Sequence, residues 1–391
     1  MRKNFYLLAA IAAMGMMASC SNDDQVFNQA DQWNAGEAVA LGVNSVGVEQ
    51  AITRAGISAT AFAGTESLGL FIFDQSISSG AAQAADNYLK GGATTPTRNV
   101  RYQRETTGGT WAAANPIILS STVGKVYAYY PWAEGNTNAT AIPVTVSADQ
   151  GTGQSDGTAD AAEQADYMWA TPVASKSNAA GAANHQADLT MNHALAMVSF
   201  TFQQAASAAQ HYPGLGQVSS IVLKNKAGNT QHIVKTGAAT MDINNGAISI
   251  TRTAANDGNT VTVTPTSRTA AGSNMVQNAA TVGTGAGHKM SDGTTDYTQA
   301  MQPRILVYPF EDETNGLKAG EVQALITVDG ANYTLDLPAI APADKGWRAG
   351  YNYEYTFTLK GTGLEVTTVT ITPWNLSQQN GGDISTPDNA G

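Results

Sequence analysis

The sequence predicts an all-β protein built from antiparallel β-sandwiches. Many short segments alternate apolar and polar residues, as half-buried strands do, and Gly, Pro and Asn separate them. Helical periodicity is scarce, and no helices alternate with strands as a parallel α/β sheet requires. Charged residues make up only 13% of the 391 residues, against about a quarter in a typical domain, so the surface is neutral and rich in hydroxyl groups.

The first 20 residues have the features of a bacterial lipoprotein signal. Two basic residues precede an apolar run over 5–17, and the small residues Ala18 and Ser19 precede Cys20. Because the apolar run is too short to span a membrane, we expect an exported protein that is lipidated on Cys20. Cys20 is the only cysteine of the chain, so no disulfide is expected.

The polar segment 21–36 is interpreted as a tether, and residues 37–186 as a first domain. Its first strand is expected at 39–48, where Leu41 and Val43 alternate and, after a shift of one residue, Val46 and Val48 continue. Further strands are expected at 68–73, 117–120, 125–130, 142–146 and 167–170. Stretches rich in Ala, Gly and Thr predict loops at 80–97, 149–165 and 175–187, the last being the expected linker.

Residues 187–391 are interpreted as a second β-sandwich domain with a C-terminal strand. One short helix-compatible segment lies at 203–210. Strands are expected at 195–202, 218–223, 247–251, 261–264, 305–308, 322–328, 333–337, 351–359 and 364–372.

Nothing in the sequence predicts an enzyme, a cofactor or a metal site. The five histidines lack zinc-protease spacing, and the glycine-rich segment 283–287 is not followed by the Lys-Ser/Thr of a phosphate loop. Serine is common in the chain, and no serine is singled out as a nucleophile. The net charge is −11, and it becomes −13 when Arg2 and Lys3 leave with the signal, which argues against a nucleic-acid partner.

One local feature carries chemistry. Arg54 stands among small residues in an expected turn after the first strand, where an arginine-specific protease can reach the bond between Arg54 and Ala55. The simpler interpretation is a solvated arginine in a loop.

Several segments, in order along nearly the whole chain, resemble the fimbrillins of Bacteroidetes, which are subunits of protease-activated pili on the outer surface. The lipoprotein signal and the acidic pair at 23–24 come first. The matching segments are ITRA at 52–55, VYAYYPW at 126–132, DYMWA at 166–170, MNHALAMVSF at 191–200, WRAGYNYEYTFTL at 347–359, LEV at 364–366 and ITPW at 371–374.

The resemblance implies two tandem transthyretin-like β-sandwich domains, cleavage after Arg54 and assembly by strand exchange. Removal of the 39–48 strand would expose a sheet edge and an apolar groove for a neighbouring subunit to fill. The expected donor is the C-terminal strand, with Val366, Val369, Ile371 and Trp374 as its apolar residues. The partners are then other pilus subunits, the outer membrane through the lipid anchor, and a host or bacterial surface ligand.

An alternative is a surface lipoprotein that stays anchored and captures glycans. Trp111, Trp132 or Trp169 would then stack on sugar rings. For Trp132 and Trp169 a place in the core is the simpler interpretation. A third interpretation, a surface hydrolase, is the least favoured of the three.

Overall fold

The fold is taken from a computed structural model of the full chain. It describes residues 39–48, 57–58, 61–62, 66–77, 88, 97–104, 110–154, 165–226, 232–234, 239–252, 259–265, 276–277, 303–312 and 314–373. The all-β prediction is confirmed, because the described chain is almost entirely strands and turns, with one short α-helix. No helix in the described ranges is long and apolar enough to cross a membrane.

The strands are numbered along the chain. Those of the first half are β1 Val39–Ala40, β2 Gly42–Val48, β3 Ile57–Ser58, β4 Ala61–Phe62, β5 Ser67–Asp74, β6 Val100–Arg104, β7 Trp111–Ala112, β8 Ile118–Leu119, β9 Gly124–Tyr130, β10 Ile142–Val144, β11 Asp149–Gln154, β12 Met168–Ala170 and β13 Val173–Lys176.

Helix α1, Ala182–His185, separates the two halves. The remaining strands are β14 Gln186–His193, β15 Ala196–Gln204, β16 Val218–Asn225, β17 Ala239–Met241, β18 Ile248–Ser249, β19 Thr260–Pro265, β20 Val276–Gln277, β21 Arg304–Val307, β22 Phe310–Glu311, β23 Val322–Val328, β24 Ala331–Asp336, β25 Gly346–Trp347, β26 Tyr351–Lys360 and β27 Gly363–Pro373.

Strands of the first half, together with β14, form a sheet that closes on itself. The strand order is β12-β14-β2-β7-β6-β5-β9, and β9 pairs back with β12, where Met168 lies opposite Tyr130. We call this ring of strands the barrel. Apolar side chains fill its interior, and those from the strands are Val43, Leu68, Leu70, Ile72, Val100, Tyr102, Trp111, Leu119, Val126, Ala128, Met168, Ala170, Ala187, Leu189 and Met191.

Both faces of β5 and β9 are buried, so these strands join two cores. Leu70 and Val126 point into the barrel, whereas Phe71 and Tyr127 belong to the core of the second half. Adjacent residues of a strand point to opposite faces of the sheet. This explains why the segment LGLFIF at 68–73 is apolar throughout rather than alternating.

The second half holds two sheets around one apolar core. One has the order β11-β19-β16-β23-β24, and in the other β15 pairs with β20, β21 and β26, while β27 forms the edge next to β26. The core between them includes Phe200, Phe202 and Phe357, whose rings lie 5.3 to 6.1 Å apart in two neighbouring pairs. Strand β10 pairs with β17, so residues 142–144 reach into this half.

Most predicted strands are present, and several expectations need correction. The expected loop at 149–165 contains β11, and the expected helical segment at 203–210 contains the end of β15 and a 3-10 turn. Pairing among the described strands is mainly antiparallel, but four pairs are parallel: β2 with β14, β11 with β19, and β15 with β20 and with β26.

The domain boundary proposed between residues 186 and 187 stays a prediction. The strand pairing places β14, which follows that boundary, in the barrel between β2 and β12. The expected linker at 175–187 includes the end of β13, helix α1 and the start of β14. Sheet membership therefore changes after His193, where Ala194 donates a 2.8 Å backbone hydrogen bond to Tyr167.

Candidate functional site

The first strand of the chain lies between two other strands in the barrel wall. β2 runs parallel to β14 from Gly42, opposite Gln186, to Val48, opposite Met191. On its other side it meets β7, with Val43 opposite Trp111. The short strand β1 pairs with β8, and the Leu41 amide donates a 2.8 Å hydrogen bond to the Ile117 carbonyl. We call the place filled by residues 39–48 the groove.

The apolar residues of this segment point into the barrel despite their irregular spacing. Leu41 is 1% exposed and Val43 6%, and Val46 and Val48 pack against the same core. The register between β2 and β14 shifts at Asn44, which is the extra residue of a β-bulge. The one-residue shift in the sequence pattern therefore corresponds to this bulge.

Side-chain hydrogen bonds connect the bulge to β14. The Asn44 amide and the Ser45 hydroxyl donate hydrogen bonds of 2.9 and 2.6 Å to one oxygen of Asp188. These bonds, chiefly that from Ser45, hold the pKa of the Asp188 carboxyl below its ordinary value. Burial lowers the pKa of nearby Lys176, whose ammonium donates to the Ala183 carbonyl at 2.6 Å.

A buried tyrosine holds the start of the same segment. The Tyr102 hydroxyl donates a 2.8 Å hydrogen bond to the Leu41 carbonyl and accepts one from the Ile117 amide at 3.3 Å. Burial raises the pKa of Tyr102 to about 12, so the hydroxyl stays protonated and able to donate. Tyr102 thus links the segment to the loop before β8.

The proposed donor residues lie in β27, the edge strand of the second half. Val366, Val369 and Ile371 are half-buried against the core of their own chain. β27 pairs along its length with β26 and with no other described strand. The register shifts at Thr367, which makes this residue the extra one of a second β-bulge.

Four predicted site residues lie outside the described residues. They are Cys20, Arg54, Ala55 and Trp374. The described strand β2 ends at Val48, six residues before Arg54, and the description resumes at Ile57.

Sequence reasoning missed Asp188 and Tyr102. Asp188 was assigned near an expected linker, although Ala187, Leu189 and Met191 alternate around it as in a strand. That alternation was the signal that could have found β14. Tyr102 had no comparable signal, because its role depends on a contact across 61 residues.

Comparison with known proteins identifies the chain. A family model described as fimbrillin-like matches residues 53–374, which is most of the sequence. The chain belongs to the fimbrillin-like family. The resemblance drawn from the sequence is thereby confirmed, and this membership supports a role as a subunit of a cell-surface pilus rather than as an enzyme.

Solved structures of two Bacteroides proteins have a similar fold. A proposed cell adhesion protein from Bacteroides uniformis is similar with a TM-score of 0.51 and 18% identity, over 86% of this chain and 99% of that one. Another from Bacteroides ovatus has a TM-score of 0.53 and 14% identity, over 86% and 98%. No curated protein matches the sequence.

The tryptophans considered for glycan capture differ in exposure. Trp111, the one favoured for the surface, is 8% exposed and belongs to the barrel core, so it offers no stacking face. Trp132 is half-buried under the Arg101 guanidinium, 4.8 Å from the ring centroid. Trp169 is also half-buried and borders a cleft of about 830 Å³ that Asn192, Asn245 and Glu311 also line.

Two buried histidines pair with carboxylates. His193 Nδ1 lies 2.9 Å from an oxygen of Asp166, and His232 Nε2 lies 3.0 Å from Glu321. Burial lowers the pKa of His232, against the smaller opposing effect of Glu321. Among the described residues, no group of three or more His, Cys, Asp and Glu side chains is placed to hold a metal ion.

Proposed function

We propose that the protein is a structural pilus subunit that polymerises by strand exchange after proteolysis. The precursor is exported as a lipoprotein through Cys20, reaches the outer surface and is cut between Arg54 and Ala55. The cut frees residues 39–48 to leave the barrel. A neighbouring subunit then fills the groove with its β27.

One observation carries the proposal: the segment upstream of Arg54 contains β2, a barrel strand that pairs with β14 on one edge and with β7 on the other. It places Leu41 and Val43 in the core, each contributing about 1.5–3 kcal/mol by burial. The fimbrillin-like match begins at residue 53, so this strand lies outside the matched region. A strand that completes the fold but precedes the proposed cleavage site can be removed by that cleavage. We call residues 39–48 the plug.

Loss of the plug leaves a surface that favours a replacement. β14 and β7 would each present an unpaired edge, and the barrel core would be open to water. In its own chain β27 pairs only with β26, whereas the groove offers pairing on both sides. Transfer of β27 into the groove of a second subunit exchanges its pairing with β26 for pairing with both edges of the groove, and it covers the opened barrel core.

The contact that results is heterologous. The donor surface, β27, and the acceptor surface, the groove, lie in different halves of the chain. Such head-to-tail contacts form an open filament unless the rotation between subunits closes a ring. A fibre is the expected product.

Limited trypsin digestion followed by size-exclusion chromatography and electron microscopy tests the proposal. Wild type should form fibres after digestion, and Arg54→Ala should stay monomeric. Arg101→Ala, which removes an exposed arginine of β6, is the matched control and should polymerise like wild type. Equal polymerisation by Arg54→Ala would remove this cleavage from the mechanism.

The lipid step has its own test. Cys20→Ala should abolish incorporation of labelled palmitate in cells, because Cys20 is the only thiol of the chain. Continued labelling of the variant would refute the lipoprotein assignment.

The cleft beside Trp169 favours ligand capture as a second candidate function. Its apolar wall and its few amide and carboxylate groups suit a sugar, which presents both C–H faces and hydroxyls. Trp169→Ala should then lose glycan-array signals that Trp132→Ala keeps. Unchanged signals in Trp169→Ala would exclude this cleft.

A further inference from the structure

Two segments at opposite ends of this chain share one pattern. Residues 41–48 read Leu-Gly-Val-Asn-Ser-Val-Gly-Val, and residues 364–371 read Leu-Glu-Val-Thr-Thr-Val-Thr-Ile. In both, apolar residues occupy the first, third, sixth and eighth positions, and two small polar residues stand in the middle. A regular strand would alternate without this interruption.

The structure gives the two segments the same bulge at the same position. In 41–48 the fourth residue, Asn44, is the one skipped in the register with β14. In 364–371 the fourth residue, Thr367, is skipped in the register with β26, since Thr356 lies opposite Thr368 and Phe357 opposite Val366. Each bulge brings the four apolar residues onto one face.

The burial of the two segments also agrees position by position. Both begin with a buried leucine, expose the two central polar residues and the seventh residue, and half-bury the sixth and eighth. They differ only at the third position, where Val43 is buried and Val366 is half-buried. The difference reflects the environment, because β2 has neighbours on both sides and β27 on one.

We propose that β27 is a replica of the plug and enters the groove of the next subunit in one fixed register. Leu364, Val366, Val369 and Ile371 take the places of Leu41, Val43, Val46 and Val48, and the bulge at Thr367 takes the place of that at Asn44. This inference rests on the proposed strand exchange and adds to it the register and the direction of the donor.

The central polar pair fixes the register through Asp188. In the precursor, the Ser45 hydroxyl donates to Asp188 at 2.6 Å, and Thr368 stands at the equivalent position of β27. Its hydroxyl supplies the same donor to the same carboxylate. A slip of one residue would turn every apolar side chain out of the barrel and remove this bond.

The direction follows from side-chain identity, because the spacing of the apolar positions reads the same from either end. Laid in the direction of β2, the donor matches Leu with Leu and Val with Val at three of the four positions. Laid in reverse, it puts Ile371 in the site of Leu41 and Leu364 in the site of Val48. We therefore assign the donor the direction of β2, parallel to β14.

Pairs of cysteines on exposed or half-buried positions distinguish the two directions. Gly47 lies opposite Thr190, and Gly42 lies opposite Gln186. In the proposed register Thr370 replaces Gly47, so Thr370→Cys should form a disulfide with Thr190→Cys of the next subunit. In the reverse direction Thr370 would replace Gly42 and meet Gln186→Cys instead. Cys20, the only native cysteine, lies upstream of the cut.

The experiment digests each double-cysteine variant, oxidises the fibres and separates them on a non-reducing gel. The proposal predicts a ladder of linked subunits from Thr370→Cys with Thr190→Cys, and none from Thr370→Cys with Gln186→Cys. The same double variants combined with Arg54→Ala control for random collision and should give no ladder. Reversed results, or fibres linked by neither pair, would overturn the register while leaving strand exchange intact.

Two single substitutions on the same strand test the polar part independently. Thr368→Val removes the hydroxyl that would face Asp188 and should slow fibre growth by about threefold or more. Thr370→Val makes the same chemical change two residues away and should leave growth unchanged. Equal rates for both would refute the role of Thr368. Failure of digested wild type to form fibres at all would refute the proposed function itself.

Discussion

Ser45 donates a 2.6 Å hydrogen bond to Asp188, which ties the removable strand β2 to its neighbour β14. Asn44 donates to the same oxygen at 2.9 Å. The contact lies on the outside of the barrel, at the bulge, where the backbone register is interrupted. The side chains therefore stabilise the plug at the point where its strand pairing is weakest.

Asp188→Ala should destabilise the precursor by about 1 kcal/mol or less, because the bonds are charge-assisted but exposed to solvent. The pKa of Asp188 is lowered in the folded state, so the contribution is present above its ordinary value of 3.8 and is lost as the pH falls through the folded value. Urea unfolding at pH 7 and pH 3 measures this. A double-mutant cycle with Ser45→Ala should show coupling at pH 7 that decreases as the pH falls below 3.8.

His232 should make the protein less stable in mild acid. Burial lowers its pKa below the ordinary value of 6.5, so the unfolded chain binds a proton first as the pH falls. The contribution of neutral His232 is complete above about pH 6.5 and decreases below it, by at most about 1.4 kcal/mol per pH unit.

The measurement is the free energy of unfolding between pH 7.5 and pH 5. His232→Gln should flatten the decline, whereas His211→Gln, a change at an exposed histidine, should leave it as in wild type. An unchanged slope in His232→Gln would show that other groups cause the decline.

Gly69 should tolerate no side chain. A Cβ there would overlap the ring of Tyr129, which lies opposite it on β9 and packs in the second core. Gly69→Ala should cost about 1–3 kcal/mol, as overpacking usually does. Gly47→Ala is the matched control, since its Cβ meets only a backbone oxygen at 4.0 Å. Thermal unfolding of the two variants gives the comparison, and equal melting temperatures would contradict it.

Replacement of two apolar residues of β27 by aspartate should block assembly. Val369→Asp with Ile371→Asp would place two carboxylates in the barrel of the next subunit, at several kcal/mol each. The monomer should suffer less, because both side chains are only half-buried in their own chain. Thr370→Asp with Thr372→Asp adds the same charge to the other face of β27.

Fibre yield after trypsin digestion measures this effect. Fibres should form from the Thr370 and Thr372 control and be absent from the Val369 and Ile371 variant. Equal yields would show that β27 is not the donor. Circular dichroism of the undigested proteins separates loss of assembly from loss of folding.

The sequence predicts the strands well where one face is buried, because apolar and polar residues then alternate. It predicts them less well where a strand forms by pairing with a neighbour and shows no such alternation. The interrupted pattern at 41–48 predicts both the strand and its irregularity. Val43 and Val46 are three residues apart instead of two, and this extra residue corresponds to the bulge at Asn44. β11 was missed because Asp149–Gln154 carries no apolar residue, and its strand geometry comes from pairing with β19.

Contacts between residues far apart in the sequence could not be predicted from the sequence. The bonds from Tyr102 to Leu41 and from Ser45 to Asp188 span 61 and 143 residues. Both bonds depend on the place of β2 in the barrel, between β7 and β14, and β14 begins inside the expected linker. The donor residues Val366, Val369 and Ile371 were found from their apolar character, but their shared face depends on the bulge at Thr367.

The most direct test of the account is the mass of the first peptide of subunits in fibres sheared from cells. The account predicts an N-terminus at Ala55 and no peptide from residues 39–48, because the plug must leave before a neighbour can occupy the groove. Fibre subunits that retain residues 39–48 on an acylated Cys20 would contradict it.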